Sequence, residues 1–129
     1  MDASPRTTRL LAPAAACAVS AGIHAGLVVP HWHESHLLAM SFVASVLALL
    51  AVALLVAGRP DDGRIRLGAG LALLLMCGAY AASRTTGLPV LAPEAEALDP
   101  VGVATQAVQL AGAAFAFLPT PREIPWHVS

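Results

Sequence analysis

The chain has no lysine and no asparagine, and only 12% of its 129 residues are charged. A soluble domain usually carries about twice that share. All seven basic residues are arginines, and eight acidic residues bring the formal net charge to −1. So few scattered cations form no basic patch, which argues against a nucleic-acid binder. Two cysteines, Cys17 and Cys77, cannot build a disulfide framework. Both sit in apolar stretches, where a thiol behaves as a small hydrophobe. What fills the chain instead is alanine (28 residues) and leucine (20), giving 57% hydrophobic residues and a mean hydropathy of +0.73. That composition excludes a disordered chain and a collagen, and leaves a small membrane protein.

The positions without charge are more informative than those with it. Residues 10–33, 35–58, 67–83 and 100–121 hold no Asp, Glu, Lys or Arg, in runs of 24, 24, 17 and 22 residues. A hydrocarbon core of ~30 Å needs ~20 helical residues, with 17–25 as the working range. Four spans follow, near 10–29, 37–57, 67–84 and 100–118. The architecture expected is an all-α four-helix transmembrane bundle, up-down-up-down, forming one domain over residues 1–129. The first run could open as a secretory signal, with Arg6 and Arg9 before Leu10–Ala18. Apolar sequence continues past Ala21 to Val29, so an uncleaved span is expected. The third run is short, and Arg66 and Arg84 are expected to snorkel from its ends.

Arginine placement sets the expected orientation. Arg6, Arg9, Arg59, Arg64, Arg66 and Arg122 fall at the termini and in the loop after span two; Arg84 alone falls in the other loops. The positive-inside rule then puts both termini in the cytoplasm of a plasma-membrane protein, with residues 30–36 and 84–99 outside. Trp32 and Trp126 suit the two interfaces. Arg59-Pro60-Asp61-Asp62-Gly63 reads as a tight turn, with Gly63 taking the awkward angle. Asp99-Pro100 reads as an N-cap followed by proline at the first helical position.

Candidate functional residues concentrate on the outward side. Four of the five histidines lie between His24 and His36, in the series His24, His31, His33 and His36, with Glu34 among them. Imidazole suits Zn, Cu, Ni and Fe, and a carboxylate can complete such a site. His33, His36 and Met40 share a face if span two starts early, and a thioether with two imidazoles favours copper over zinc. Against this stands a hydrated loop of interfacial histidines, with His24 a neutral hydrogen-bonded side chain inside the bundle. A b-type haem needs two histidines at equal depth on facing helices, and spans three and four have none. Leu73, Cys77, Tyr80 and Arg84 share one face of span three, so Arg84 turns inward at the outer boundary. A half-buried Arg needs a carboxylate; Glu34 and Asp99 are the candidates by depth. Glu94 and Glu96 read as a solvated acidic loop, and Glu34 aligns with Ser41 and Ser45 as a polar seam. Ala14, Ala18, Gly22 and Gly26 form a small-residue stripe on span one. It serves packing within the bundle or, through Gly22 and Gly26, a homodimer or a larger membrane partner.

The run Ser83-Arg84-Thr85-Thr86-Gly87-Leu88-Pro89, the acid-Pro-Val-Gly step at Asp99–Gly102 and the membrane-embedded His24 with its His/Glu hairpin together resemble a group of small four-span membrane proteins of high-GC actinobacteria. The resemblance spans nearly the whole chain, and only the SRT-x-GLP segment is distinctive. The group's pattern usually has Glu where this chain has Asp99, and a further acid early in span four where this chain has Thr105 and Gln106. The resemblance implies fold and membrane location and supplies no chemistry. No nucleotide, phosphate-loop or catalytic-triad signature is present, so a non-enzymatic protein is expected. Its outward polar face would bind an ion or small ligand. An accessory subunit of a larger complex and a small dimeric proton-coupled transporter stand as alternatives.

Overall fold

The computed structural model describes residues 4–119. Four α-helices follow one another: α1 (Pro5–Trp32), α2 (His36–Gly58), α3 (Gly63–Thr85) and α4 (Pro100–Phe117). Each begins on a side chain that accepts from its own first turn: Ser4, Ser35, Asp62 and Asp99. Asp99 receives the Gly102 N–H at 2.6 Å, with Pro100 behind it, as the sequence led us to expect. α1 at its start and α3 at both ends overrun the charge-free runs by a few residues, while α4 stops short of its run. Charged residues that snorkel or pair extend a helix as well as apolar ones do. Arg122, Trp126 and the prolines at 121 and 125 lie outside the described residues.

The connections of 33–35 and 59–62 are too short for anything but antiparallel neighbours, which gives the up-down-up-down order. Three arginine contacts fasten one end. Arg6 reaches Asp61 in the α2–α3 turn at 3.0 Å, and Arg9 donates to the Pro119 carbonyl at 3.1 Å. Arg66 donates to the carbonyls of Phe115, Ala116 and Leu118, at 3.2, 3.3 and 2.6 Å. Arg66 is only 2% exposed, so it caps the C-terminus of α4 instead of snorkelling. The physical reason is that α4 ends level with it, offering buried carbonyls that lack helical partners.

Core packing belongs to this end of the bundle. Ala14, Ala16, Cys17 and Ala21 of α1 meet Leu49, Ala53 and Val56 of α2, Ala69 and Leu73 of α3, and Ala113 of α4. Small side chains let the backbones approach. A Cβ at Gly112 would collide with Ala16 Cβ and sit 2.9 Å from Leu73 Cδ1, and one at Gly70 would meet Phe117 at 2.8 Å. Gly22 and Gly26 do the opposite of what bundle packing requires, since a Cβ at either meets nothing within 4 Å. Their side of α1 is open. Around the bundle α1 lies against α2 and α4, and α4 lies against α3, while α2 and α3 are the loosest of the neighbouring pairs.

The loop of residues 86–99 folds back over the other end. Gly87 has φ 73°, and a Cβ there would collide with the Pro93 carbonyl, so this glycine is required. Gly63, by contrast, is simply the first residue of α3 and has no positive φ. Leu88 and Ala92 exchange backbone hydrogen bonds at 2.6 and 2.9 Å around a turn whose tip, Val90, also has φ 73°. The Glu96 N–H bonds to the Ser83 carbonyl at 2.9 Å and pins the loop to the end of α3.

Candidate functional site

Where the small-residue core ends, the helices diverge around a cavity of 460 Å³. All four helices line it, and Leu88, Leu91 and Ala92 of the 86–99 loop cover it. The walls are mostly apolar, with Ile23, Leu27, Leu38, Phe42, Met76 and Val101 among the lining residues. Polar groups sit at three levels.

The floor is Gln109, fully buried on α4. Its Nε2 donates to Ser20 Oγ of α1 at 2.6 Å, and its Oε1 accepts from Cys77 Sγ of α3 at 3.5 Å. One glutamine thus joins three helices. A polar side chain inside a span needs partners on other helices, and Gln109 has them.

The middle level is a wall of imidazoles. His24 Nδ1 lies 2.8 Å from the Ser20 carbonyl and His31 Nδ1 2.8 Å from the Leu27 carbonyl, each one turn back on α1. A carbonyl only accepts, so each Nδ1 carries a hydrogen and Nε2 is the nitrogen left for other work. The Phe42 ring stands edge-on to both, with centroids 5.9 Å from His24 and 5.1 Å from His31.

The rim is an ion cluster. Arg84 pairs with Glu96 at 2.8 Å and Asp99 at 2.9 Å, and donates to the Ala97 carbonyl at 2.6 Å. Its guanidinium lies 4.7 Å from the centroid of the Tyr80 ring. Gly102 makes room for Tyr80, because a Cβ there would collide with that ring. Arg84 does turn inward beside Tyr80, and Asp99 is its partner as expected. The second partner is Glu96 and not Glu34. Glu96 had read as a solvated loop residue; only the return of the 86–99 loop onto α3 brings it to Arg84.

Of the histidine cluster, His24 and His31 line the cavity, while His33, Glu34 and His36 do not. His33 caps the end of α1, and His36 opens α2 with its ring 4.9 Å from Trp32. The expected equal depth of His36 and His24 fails: Phe42, six residues into α2, is the residue level with the α1 imidazoles. The cause is the length of α1, which runs through Pro30 to Trp32 and lifts the hairpin away from His24. Glu34 approaches only His31, at 4.0 Å, with its side chain 71% exposed. Ser41 and Ser45 reach the cavity without it. Among the described residues no three His, Cys, Asp or Glu side chains gather as a metal-binding set. Met40 is exposed.

Each of the four helices is long and apolar enough to cross a bilayer, with mean hydropathy over the best window of 1.6, 2.7, 1.7 and 1.3. The chain is a small multi-pass membrane protein built as a four-helix bundle. Comparison with protein-family models, with curated proteins and with solved structures finds no match.

Proposed function

We propose that this is a non-enzymatic membrane protein of the plasma membrane that binds a small organic molecule in the cavity between its four helices. The observation that carries the reading is the cavity itself: 460 Å³, apolar in its walls, with polar groups at floor, middle and rim. Ligand sites fall in the range of about 300–1,000 Å³ and have this mixture of apolar wall and few convergent polar groups. Resemblance to the small four-span actinobacterial group fits the location and leaves the ligand open. Copper or zinc at the histidines is less well supported, because two imidazoles lack the further ligands such an ion requires.

The test uses the neutral dye N-phenyl-1-naphthylamine, whose emission rises in apolar surroundings, with protein purified in detergent without a histidine tag. Saturable binding to the wild type is expected, and its loss in Ser45→Phe, which fills the cavity from α2. Equal dye binding by the two, at unchanged helicity, overturns the proposal. Metal content of the same sample at one ion per chain would restore the metal reading.

A second reading has its own observation. Ala18, Gly22 and Gly26 lie exposed along one side of α1, with open space at both glycines. Such a face admits close approach by another helix, which suits an accessory subunit or a homodimer. Crosslinking in native membranes tests it: a band that Gly22→Leu removes supports it, and a monomer throughout overturns it.

A further inference from the structure

Resting on the cavity as a ligand site, we infer that its ligand is an amphipathic monocation with N–H donors, an organic ammonium on an apolar body. Two independent features of the lining lead there.

The first is the use of hydrogen atoms. Ser41 donates to the Leu38 carbonyl at 2.7 Å and Ser45 to the Ser41 carbonyl at 2.9 Å. Ser83 donates to the Tyr80 carbonyl at 2.8 Å and Thr105 to the Val101 carbonyl at 2.7 Å. His24 and His31 spend their Nδ1 hydrogens on backbone carbonyls in the same way. Every one of these six groups has satisfied its own helix with its hydrogen and keeps lone pairs for the cavity. The donors that remain are few: the Tyr80 hydroxyl, which is buried without a hydrogen bond, Arg84 Nε and the Gln106 amide. An acceptor-rich wall in a low-dielectric site favours a ligand that brings hydrogens.

The second is charge. The ionised groups lining the cavity are Arg84 from α3 and Glu96 and Asp99 from the covering loop; α2 and α4 contribute none, and α1 contributes only its imidazoles. One cation against two carboxylates leaves −1 at the rim. Arg84 already has its charge offset by both carboxylates and gives a further hydrogen to one carbonyl, so an anionic ligand meets a net negative rim there. The carboxylates are the more exposed partners, at 38% for Glu96 and 44% for Asp99 against 16% for Arg84. An ammonium at the rim reaches them, while its apolar body lies against Phe42, Leu27 and Met76 below.

The experiment displaces the bound dye with three competitors of one shape: 1-naphthylmethylammonium, 1-naphthalenemethanol and 1-naphthoate. The cation is expected to compete about tenfold more strongly than the alcohol, the size of one unit charge felt between the dielectric of water and that of the interior. The anion should be weaker than either. Glu96→Gln, which neutralises the rim while leaving Asp99 on Arg84, should bring the cation's competition down to that of the alcohol. Raised ionic strength in the wild type should reduce the preference without any substitution. If the dye binds but all three compete equally, or the anion competes best, the inference fails and the cavity stands as a neutral site. If the dye does not bind, the cavity reading fails with it.

Discussion

Arg66 and Arg84 are both arginines at the ends of one helix, and they are held in different ways. Arg66 is buried and gives its guanidinium to the last carbonyls of α4, whereas Arg84 sits between two carboxylates that water also reaches. Hydrogen bonds to a charged group contribute roughly 1.5–3 kcal/mol each, and several share one cation here. Arg66→Ala should therefore lower stability in detergent by about 2–4 kcal/mol by thermal unfolding. Arg64→Ala, at an exposed position two residues away, should stay within about 0.5 kcal/mol. Arg84→Ala should fall between, at about 1–2 kcal/mol, because Glu96 and Asp99 regain hydration when the cation is removed. An Arg66→Ala protein as stable as Arg64→Ala would show that α4 needs no cap at its C-terminus. Gln109 and Ser20 make a second residue-scale case. Interhelical hydrogen bonds within bilayers couple by about 0.6 kcal/mol on average and up to about 1.7. Gln109 is fully buried on three helices, so the double-mutant cycle of Gln109→Leu with Ser20→Ala should read near the upper value. A coupling of zero would detach the floor of the cavity from the packing of α1 on α4.

Helices here are told apart by which of their small residues are covered. Gly112 of α4 lies against Ala16 and Leu73, while Gly22 and Gly26 of α1 face open space. Gly112→Leu overpacks a three-helix contact and should destabilise by about 1–3 kcal/mol or rearrange the α1–α4 crossing. Gly22→Leu and Gly26→Leu should leave the monomer's thermal stability within about 0.5 kcal/mol. The reverse result, a silent Gly112→Leu beside a damaging Gly22→Leu, would mean that α1 is turned the other way in the bundle. Sequence spacing placed Gly22 and Gly26 on one stripe with Ala14, and the structure divides it, with Ala14 in the core and both glycines facing open space. Spacing could not say whether the stripe faces inward, because every side of a membrane helix is apolar and the amphipathic signal that orients soluble helices is missing.

At the scale of the whole molecule, both ends of the described chain lie on one side of the bundle, tied by Arg6 to Asp61 and by Arg9 to Pro119. Arginine asymmetry predicts that this side is cytoplasmic. Cysteine scanning in intact cells reads this directly. Val90→Cys, at the exposed tip of the covering loop, should react with a membrane-impermeant maleimide, and Asp61→Cys only after lysis. The native cysteines provide a quiet background, since Cys17 is fully buried and Cys77 lies mid-span against Gln109. Labelling of Asp61→Cys in intact cells would invert the orientation and place the cavity at the cytoplasmic face.

Composition and charge spacing alone determined that the chain has four spans, where each begins and ends to within a few residues, their antiparallel order and the N-cap at Asp99. These follow from local rules: a bilayer demands about 20 uncharged residues per crossing, and short loops leave no choice of neighbour. The inward face of Arg84 and its pairing to Asp99 were legible for the same reason, being set by helical spacing and proximity in the chain. What only the tertiary structure decided is which polar groups meet across helices. Glu96 reaches Arg84 because Gly87 turns the loop back; Arg66 finds the end of α4 because α4 ends level with the start of α3; Gln109 joins Ser20 across 89 positions. The histidine run looked like one site because its members are close in sequence. The continuation of α1 to Trp32 divides it, leaving His24 and His31 in the cavity and His33 and His36 outside its lining. Rotation and length of helices are decided by packing among many small side chains at once, and no short window of sequence contains that sum.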